Sequence, residues 1–312
     1  MTTATISLIE ALDDPALFQP WFTGPTWSGW RAVLKAAFAI PLSESELKFF
    51  RGVAERDPPA KRVRELWIIA GRRAGKDSIA SVVVAHTAAL FNQHDRLRPG
   101  ERALVPCLAV DRDQAKIVLR YVRAFFTRIP FLKAMVTGET ANGFELDNAV
   151  DVAIATNSFR STRGRPIAAA VFDEVAFWRD EASATPDEET YRAIMPGMAT
   201  LGGAMLIGIS SPYRRTGLLW RKFHEHYGRD GDVLVIKAPS IVLNPTLDQT
   251  IIDQAIADDP AAARSEWLGE FRDDIESFVS LHVIESCTVS GRHELPRANG
   301  VSYVGFVDPS GG

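Results

Sequence analysis

Cysteine is scarce: two in 312 residues, Cys107 and Cys287, far apart and without metal-ligand spacing. That argues against a disulfide framework and fits a reducing compartment. Long apolar runs are absent too. The longest, such as 167–172, are far too short to span a bilayer, so no membrane association is expected. The first residues, MTTATISLIEALDDP, carry acids early and no basic stretch before an apolar one, so no signal peptide is expected. A positive balance is also missing. With a formal net charge of -4, any grip on nucleic acid has to come from local basic patches. Neither internal repeats nor low-complexity tracts occur. What is present, 46% hydrophobic and 24% charged residues, is the make-up of a soluble globular protein with a sizeable core. Its length suits one large α/β domain with extra elements, or two modest domains.

The pattern along the chain changes near residue 60. Residues 1–60 read as short helices, with Ser43 and Glu46 placed as a capping box ahead of Leu47, Phe49 and Phe50. Strands and helices then alternate. Strands are expected at 64–70, 102–110, 168–172, 204–210 and 232–238, and helices at 77–91 and 111–126, the latter opened by Asp111 as N-cap. A hairpin is expected over 144–156, folded at Asp147 and Asn148. Such alternation predicts an α/β fold with a mainly parallel sheet covered by helices. Beyond residue 240 the texture is helical and mixed, with Asp259-Pro260 starting a helix through Phe271. A last strand at 301–307 runs into Asp308 and the chain stops, which reads as a fragment.

Residues 71–78, GRRAGKDS, lie between an expected strand and an expected helix. Gly71 and Gly75 permit a loop whose successive N–H groups face inward around phosphate oxygens, a role shared by Arg72, Arg73 and Ala74 between them. The positive end of the following helix points at the same place, and Lys76 can reach the β- and γ-phosphates. Asp77 stands where such loops offer a hydroxyl to magnesium, with Ser78 one residue further and about a hundred degrees round the helix. Two readings stay open: Asp77 as a hard ligand for magnesium, or as a negative charge that weakens nucleotide binding.

About a hundred residues later, AAAVFDE places Asp173 and Glu174 at the end of a buried strand, where open α/β sheets bind ligands. In that position Asp173 suits a magnesium ion held through its water shell, and Glu174 suits activation of the attacking water. The spacing fits the branch of P-loop ATPases with an additional strand between these two elements (the ASCE type). At Ser210-Ser211-Pro212 the next strand ends, and Ser210 reads equally as a γ-phosphate reporter or as part of an ordinary turn.

In order, GRRAGKDS, DRDQAK, SFRSTRGRPIAAAVFDEVAFW, IGISSP and VGFVDPSGG resemble the phage terminase large subunits, from about residue 60 onward. The resemblance implies ATP and magnesium as cofactors, Lys76, Asp173 and Glu174 as an ATPase centre, and Ser210 as a coupling position. It makes Arg72 or Arg73 a γ-phosphate sensor. It implies four segments: 1–60 helical, 61–240 P-loop ATPase, 241–298 lid or linker, and 299–312 the start of a truncated RNase H-like nuclease domain. Asp308 matches that nuclease's first metal-binding Asp, and no nuclease activity is expected without further acidic ligands. The implied partners are double-stranded viral DNA, a portal protein and a small terminase subunit. The implied assembly is a homo-oligomeric ring on the procapsid, in the host cytoplasm.

A trans-acting arginine is expected of ring motors, with Arg160, Arg163, Arg165, Arg214 and Arg215 as candidates not separable from phosphate contacts or surface charges. For the adenine, Trp27, Trp30, Phe49 and Phe50 are candidates, most of which suit a buried core better. His224 and His226 lack the companions of a metal site. Two other functions compete with the motor: a helicase-like or repair ATPase, for which no second motif set follows residue 240, and a nucleotide-binding module impaired by Asp77.

Overall fold

The strand–helix alternation expected from the sequence is present in the computed structural model, which describes residues 6–90, 92–156, 164–178 and 186–272 and, in short stretches, part of 286–305. The N-terminal part carries α1 (Leu8–Asp13), α2 (Ser28–Ala37) and α3 (Glu44–Ala54). There follow β1 (Glu65–Ala70), α4 (Lys76–Ala89), β2 (Ala103–Ala109), α5 (Arg112–Arg128), α6 (Pro130–Ala134), β3 (Val136–Thr140), β4 (Gly143–Leu146) and β5 (Val150–Thr156). The series continues with β6 (Ala169–Asp173), α7 (Pro186–Ala199), β7 (Met205–Ser210), α8 (Gly217–His226), β8 (Val233–Ala238), α9 (Ser240–Leu243), α10 (Gln249–Asp258) and α11 (Pro260–Leu268).

One sheet holds all eight strands in the order β3-β4-β5-β2-β6-β7-β1-β8. From β5 to β8 every pairing is parallel, and β3 and β4 add an antiparallel edge. Every residue of β1, β2, β6 and β7 is buried, as their unbroken apolar runs require of strands covered on both faces. Between β1 and β6 lies β7, which comes later in the chain, so the additional strand expected between loop and acid pair is supplied from beyond both. Pro106 interrupts the β2–β6 ladder: Leu104 bridges Ile167, and pairing resumes at Cys107 with Val171. A residue without an N–H leaves that gap.

Helix α4 is buried around almost its whole circumference, which explains its lack of a polar stripe. The expected capping box on α3 and the Asp111 cap on α5 are both formed. Leu8, Leu12, Trp30, Leu34 and Phe50 from the first helices share one apolar core with Leu66, Ile68 and Ile69 of β1.

Three local differences have physical causes. Strand β3 was not expected, because VTGET is polar and largely exposed. It exists by pairing with β4, as in Glu139 with Phe144. The hairpin link extends one residue past Asn148, with Ala149 at φ 59°, while the Asn148 amide donates to the carbonyls of Ala88 and Ala89 at the end of α4. Helix α11 stops at Leu268, short of Phe271, because Gly269 turns the chain at φ 72°.

Contacts divide the chain into two compact units, Met1–Asp274 and Ile275–Gly312. In the second, residues 301, 302, 304 and 305 stand in no strand, and the rest of the stretch 301–307, with Asp308, lies outside the described residues. Among the described residues no helix is long and apolar enough to cross a membrane.

Candidate active site

The loop after β1 is held from three sides. A Cβ on Gly71 would stand 2.2 Å from Ser240 Oγ and 2.6 and 2.7 Å from the carbonyls of Glu266 and Trp267, so only glycine lets α11 approach this closely. Arg72 N–H donates to the Glu266 carbonyl at 2.6 Å, and its guanidinium pairs with the Glu266 carboxylate at 3.1 Å. The Asn244 amide donates to the Arg73 carbonyl at 2.9 Å, and Trp30 Nε1 to the Ala74 carbonyl at 2.8 Å. Gly75 (φ 93°) and Arg73 (φ 63°) take the left-handed region, which turns successive N–H groups toward one side. Lys76 is the first residue of α4.

The tips of β6 and β7 bring the acid pair to this loop. Lys76 Nζ stands 3.0 Å from Glu174 Oε1 and 3.2 Å from Ser211 Oγ. The other Glu174 oxygen accepts from Ser210 Oγ and from the Ser211 N–H, each at 3.1 Å. Glu174 itself is left-handed at φ 48°, which lets the side chain leave the strand end toward the lysine. Asp173 Oδ2 accepts from Gln114 Nε2 at 3.2 Å, and the Asp173 carbonyl from Trp178 Nε1 at 2.8 Å. Arg72, Arg73, Gly75, Lys76, Asp77, Ser78, Glu174 and Ser211 face a common cavity of about 900 Å³. An adjoining cavity of about 510 Å³ shares Ser78, Ile117 and Tyr121 with it and is bordered by Trp27.

The carboxyls are strained electrostatically. Asp173 is pushed up to about 8 by burial and then by the negative charges of Asp77 and Glu174, against the Gln114 hydrogen bond and Lys76. Burial also raises Asp77, with Lys76 opposing and Glu174 adding to the shift. Asp173 Oδ1 is buried without a hydrogen-bond partner. A hard divalent cation fits this donor set, since it relieves the repulsion and satisfies the orphaned oxygen. Among the described residues no group of three or more His, Cys, Asp or Glu side chains is placed to hold a metal ion. The pair therefore suits a cation that keeps waters and phosphate oxygens as its other ligands.

Of the residues singled out in the sequence, Gly71 to Ser78, Asp173, Glu174 and Ser210 come together here. Trp30 and Phe50 are buried in the core, Phe49 packs against it, and Trp27 meets Phe22 edge-on at 4.8 Å beside the second cavity. Arg165 pairs with Asp151 at the start of β5, away from the loop. Arg214 lies over Tyr213 and Arg215 over Trp220, and Arg160 and Arg163 fall outside the described residues. His224 packs at a tilt against Trp220, with ring centroids 5.9 Å apart, and His226 sits 3.7 Å from Glu225. The sequence reading missed Gln114, Asn244, Glu266 and Tyr121. DRDQAK was the available signal for Gln114, Tyr121 lies further along the same helix, and Asn244 and Glu266 come from distant segments with no motif.

No protein-family model and no curated protein sequence matches the chain. Solved structures do. The Thermus phage P74-26 large terminase ATPase domain superposes with a TM-score of 0.51 at 17% identity, over 77% of this chain and 97% of that one. A single-site variant of the same domain gives 0.53 at 15% identity, over 77% and 98%. The HK97 bacteriophage large terminase gives 0.53 at 16% identity, over 74% of this chain and 51% of that one. This chain has the fold of a phage large terminase ATPase domain. In that terminase fold the loop follows β1, the acid pair ends β6 and Ser210 ends β7, so three neighbouring strand tips carry the candidate site.

Proposed function

We propose that the chain is the ATPase region of a phage terminase large subunit, hydrolysing ATP to drive double-stranded viral DNA into a procapsid. The observation that carries this is the meeting of Lys76 and Glu174 at 3.0 Å on the wall of a cavity of about 900 Å³. The backbone N–H groups of 71–76 and the Lys76 ammonium bind the phosphates. Glu174 orients the attacking water and takes its proton, with Ser210 and the Ser211 N–H holding the carboxylate in place. Asp173, with Asp77, holds the magnesium ion, which when bound neutralises charge on the phosphoryl oxygens. Arg72 or Arg73 senses the γ-phosphate, and Ser210 passes its loss to the strand tips. The partners are a portal protein, a small terminase subunit and further copies in a ring, in the host cytoplasm. Asp308 is the first metal-binding residue of a nuclease region.

DNA-stimulated ATP hydrolysis in the assembly with portal-bearing procapsids tests the motor. Turnover that rises with double-stranded DNA and disappears in Glu174→Ala is the expected result. Turnover indifferent to DNA would overturn translocation while leaving hydrolysis intact.

A second reading has an observation of its own, the half-buried Asp77 carboxyl beside the loop, its pKa raised by burial. It makes the chain a nucleotide-binding module with weak hydrolysis. Asp77→Ser separates the two: the motor requires the native chain to bind and turn over ATP with magnesium, the module only the serine variant.

A further inference from the structure

At the opposite end of the strands from the candidate active site, beside the starts of β6 and β7, lies a cavity of about 250 Å³ unconnected with the proposed ATPase chemistry. Arg62, His86, Thr87 and Gln93 line it with the 202–204 turn, and among the described residues no carboxylate lines it. Four of its polar atoms are buried without a hydrogen-bond partner: Arg62 Nε, Arg62 Nη2, Thr87 Oγ1 and Gln93 Oε1.

The two arginine nitrogens are not an arbitrary pair. Nε and Nη2 form one edge of the guanidinium, the edge that donates two parallel N–H bonds to an oxyanion. The group lies over the Phe38 ring, its Cζ 4.6 Å from the ring centroid, and Gly203, at φ 73°, passes close enough that a Cβ there would meet Nη1 at 3.3 Å. Burial lowers the pKa of Arg62. His86 is neutral, its pKa held at about 4 by burial, so the cavity's charge comes from Arg62. The orientation of Gln93 follows from its other contact. Its amide nitrogen donates to the Gly202 carbonyl, which can only accept, so Oε1 is left as an acceptor.

We propose that this cavity is a second ligand site, which takes a small oxyanion that retains one proton, of the hydrogenphosphate type. Two of its oxygens accept from Arg62 Nε and Nη2, its own hydroxyl donates to Gln93 Oε1, and Thr87 completes the shell. Sulfate has the same shape and no proton, so it turns a lone pair toward Gln93 Oε1 and is disfavoured.

Calorimetric titration of inorganic phosphate into the full-length Lys76→Ala chain tests this with the phosphate loop disabled. Saturable binding is expected, at least about tenfold weaker when either Arg62→Gln or Gln93→Leu is added, with sulfate weaker by a similar factor. Circular dichroism melting reports whether each variant folds. Gln93 is only partly buried, outside the strands and helices, so its variant keeps the test open if Arg62→Gln does not fold. No saturable phosphate binding to the Lys76→Ala chain, or undiminished binding in the variants, overturns the site. Sulfate bound as tightly as phosphate overturns the protonated ligand.

Discussion

The Lys76 ammonium is matched with the Glu174 carboxylate at 3.0 Å, although one comes from the start of α4 and the other from just past the end of β6. In the function proposed above, phosphate oxygens entering the loop compete with that carboxylate for the same ammonium, and winning the competition releases Glu174 toward the cavity to activate a water. On that proposal, binding and the arming of the base are linked through one ion pair.

Glu174→Gln separates these two roles. Loss of the base is expected to lower the rate of the chemical step by about 10²–10⁴-fold. ATP affinity is held or strengthened, because the competing negative charge is gone. Single-turnover hydrolysis beside equilibrium binding checks both halves, and a variant that loses affinity and rate together speaks against the linkage.

Gly71→Ala forces a methyl group against Ser240 and the carbonyls of Glu266 and Trp267. The expected cost is about 1–3 kcal/mol of stability, together with weaker ATP binding as the loop shifts. Gly52→Ala on α3, with nothing within 4 Å, is the control and is expected to stabilise by about 0.5–1 kcal/mol. Thermal melts of both variants decide it.

Trp30→Phe keeps a ring in the core and removes the donor to the Ala74 carbonyl. A buried acceptor left unpaired costs about 1–3 kcal/mol. Chemical denaturation is expected to show that loss, and ATP titration a weaker affinity, since the loop loses one of its three anchors.

His86 makes stability pH-dependent. Its Nε2 lies 3.0 Å from the Ile6 carbonyl, and burial lowers its pKa from 6.5 to about 4. Below 6.5 the unfolded chain takes up a proton that the folded chain refuses until about 4, so stability is complete above 6.5 and falls as pH drops through that window. The full loss is about 3 kcal/mol. Urea midpoints measured across the window are expected to fall less steeply in His86→Gln than in the native chain.

The parallel sheet was legible because its strands are unbroken apolar runs and α5 has a clear N-cap. The places of the glycine loop after β1 and of the acid pair at the end of β6 were legible because glycine spacing and strand-end acids are local signals. Spatial partners were not. Trp30, Asn244 and Glu266 reach the loop from α2, from just after α9 and from α11, and no spacing in the sequence links them to it. Strand β3 escaped for the same reason, its existence resting on a neighbour and not on its own residues.

Calorimetric titration of ATP with magnesium into the native chain and into Lys76→Ala tests the ATP site most directly. Saturable binding to the native chain, weakened about ten- to a hundredfold in the variant, is the expected outcome for a lost charge-assisted bond. Equal affinities, or no binding to the native chain, would contradict it.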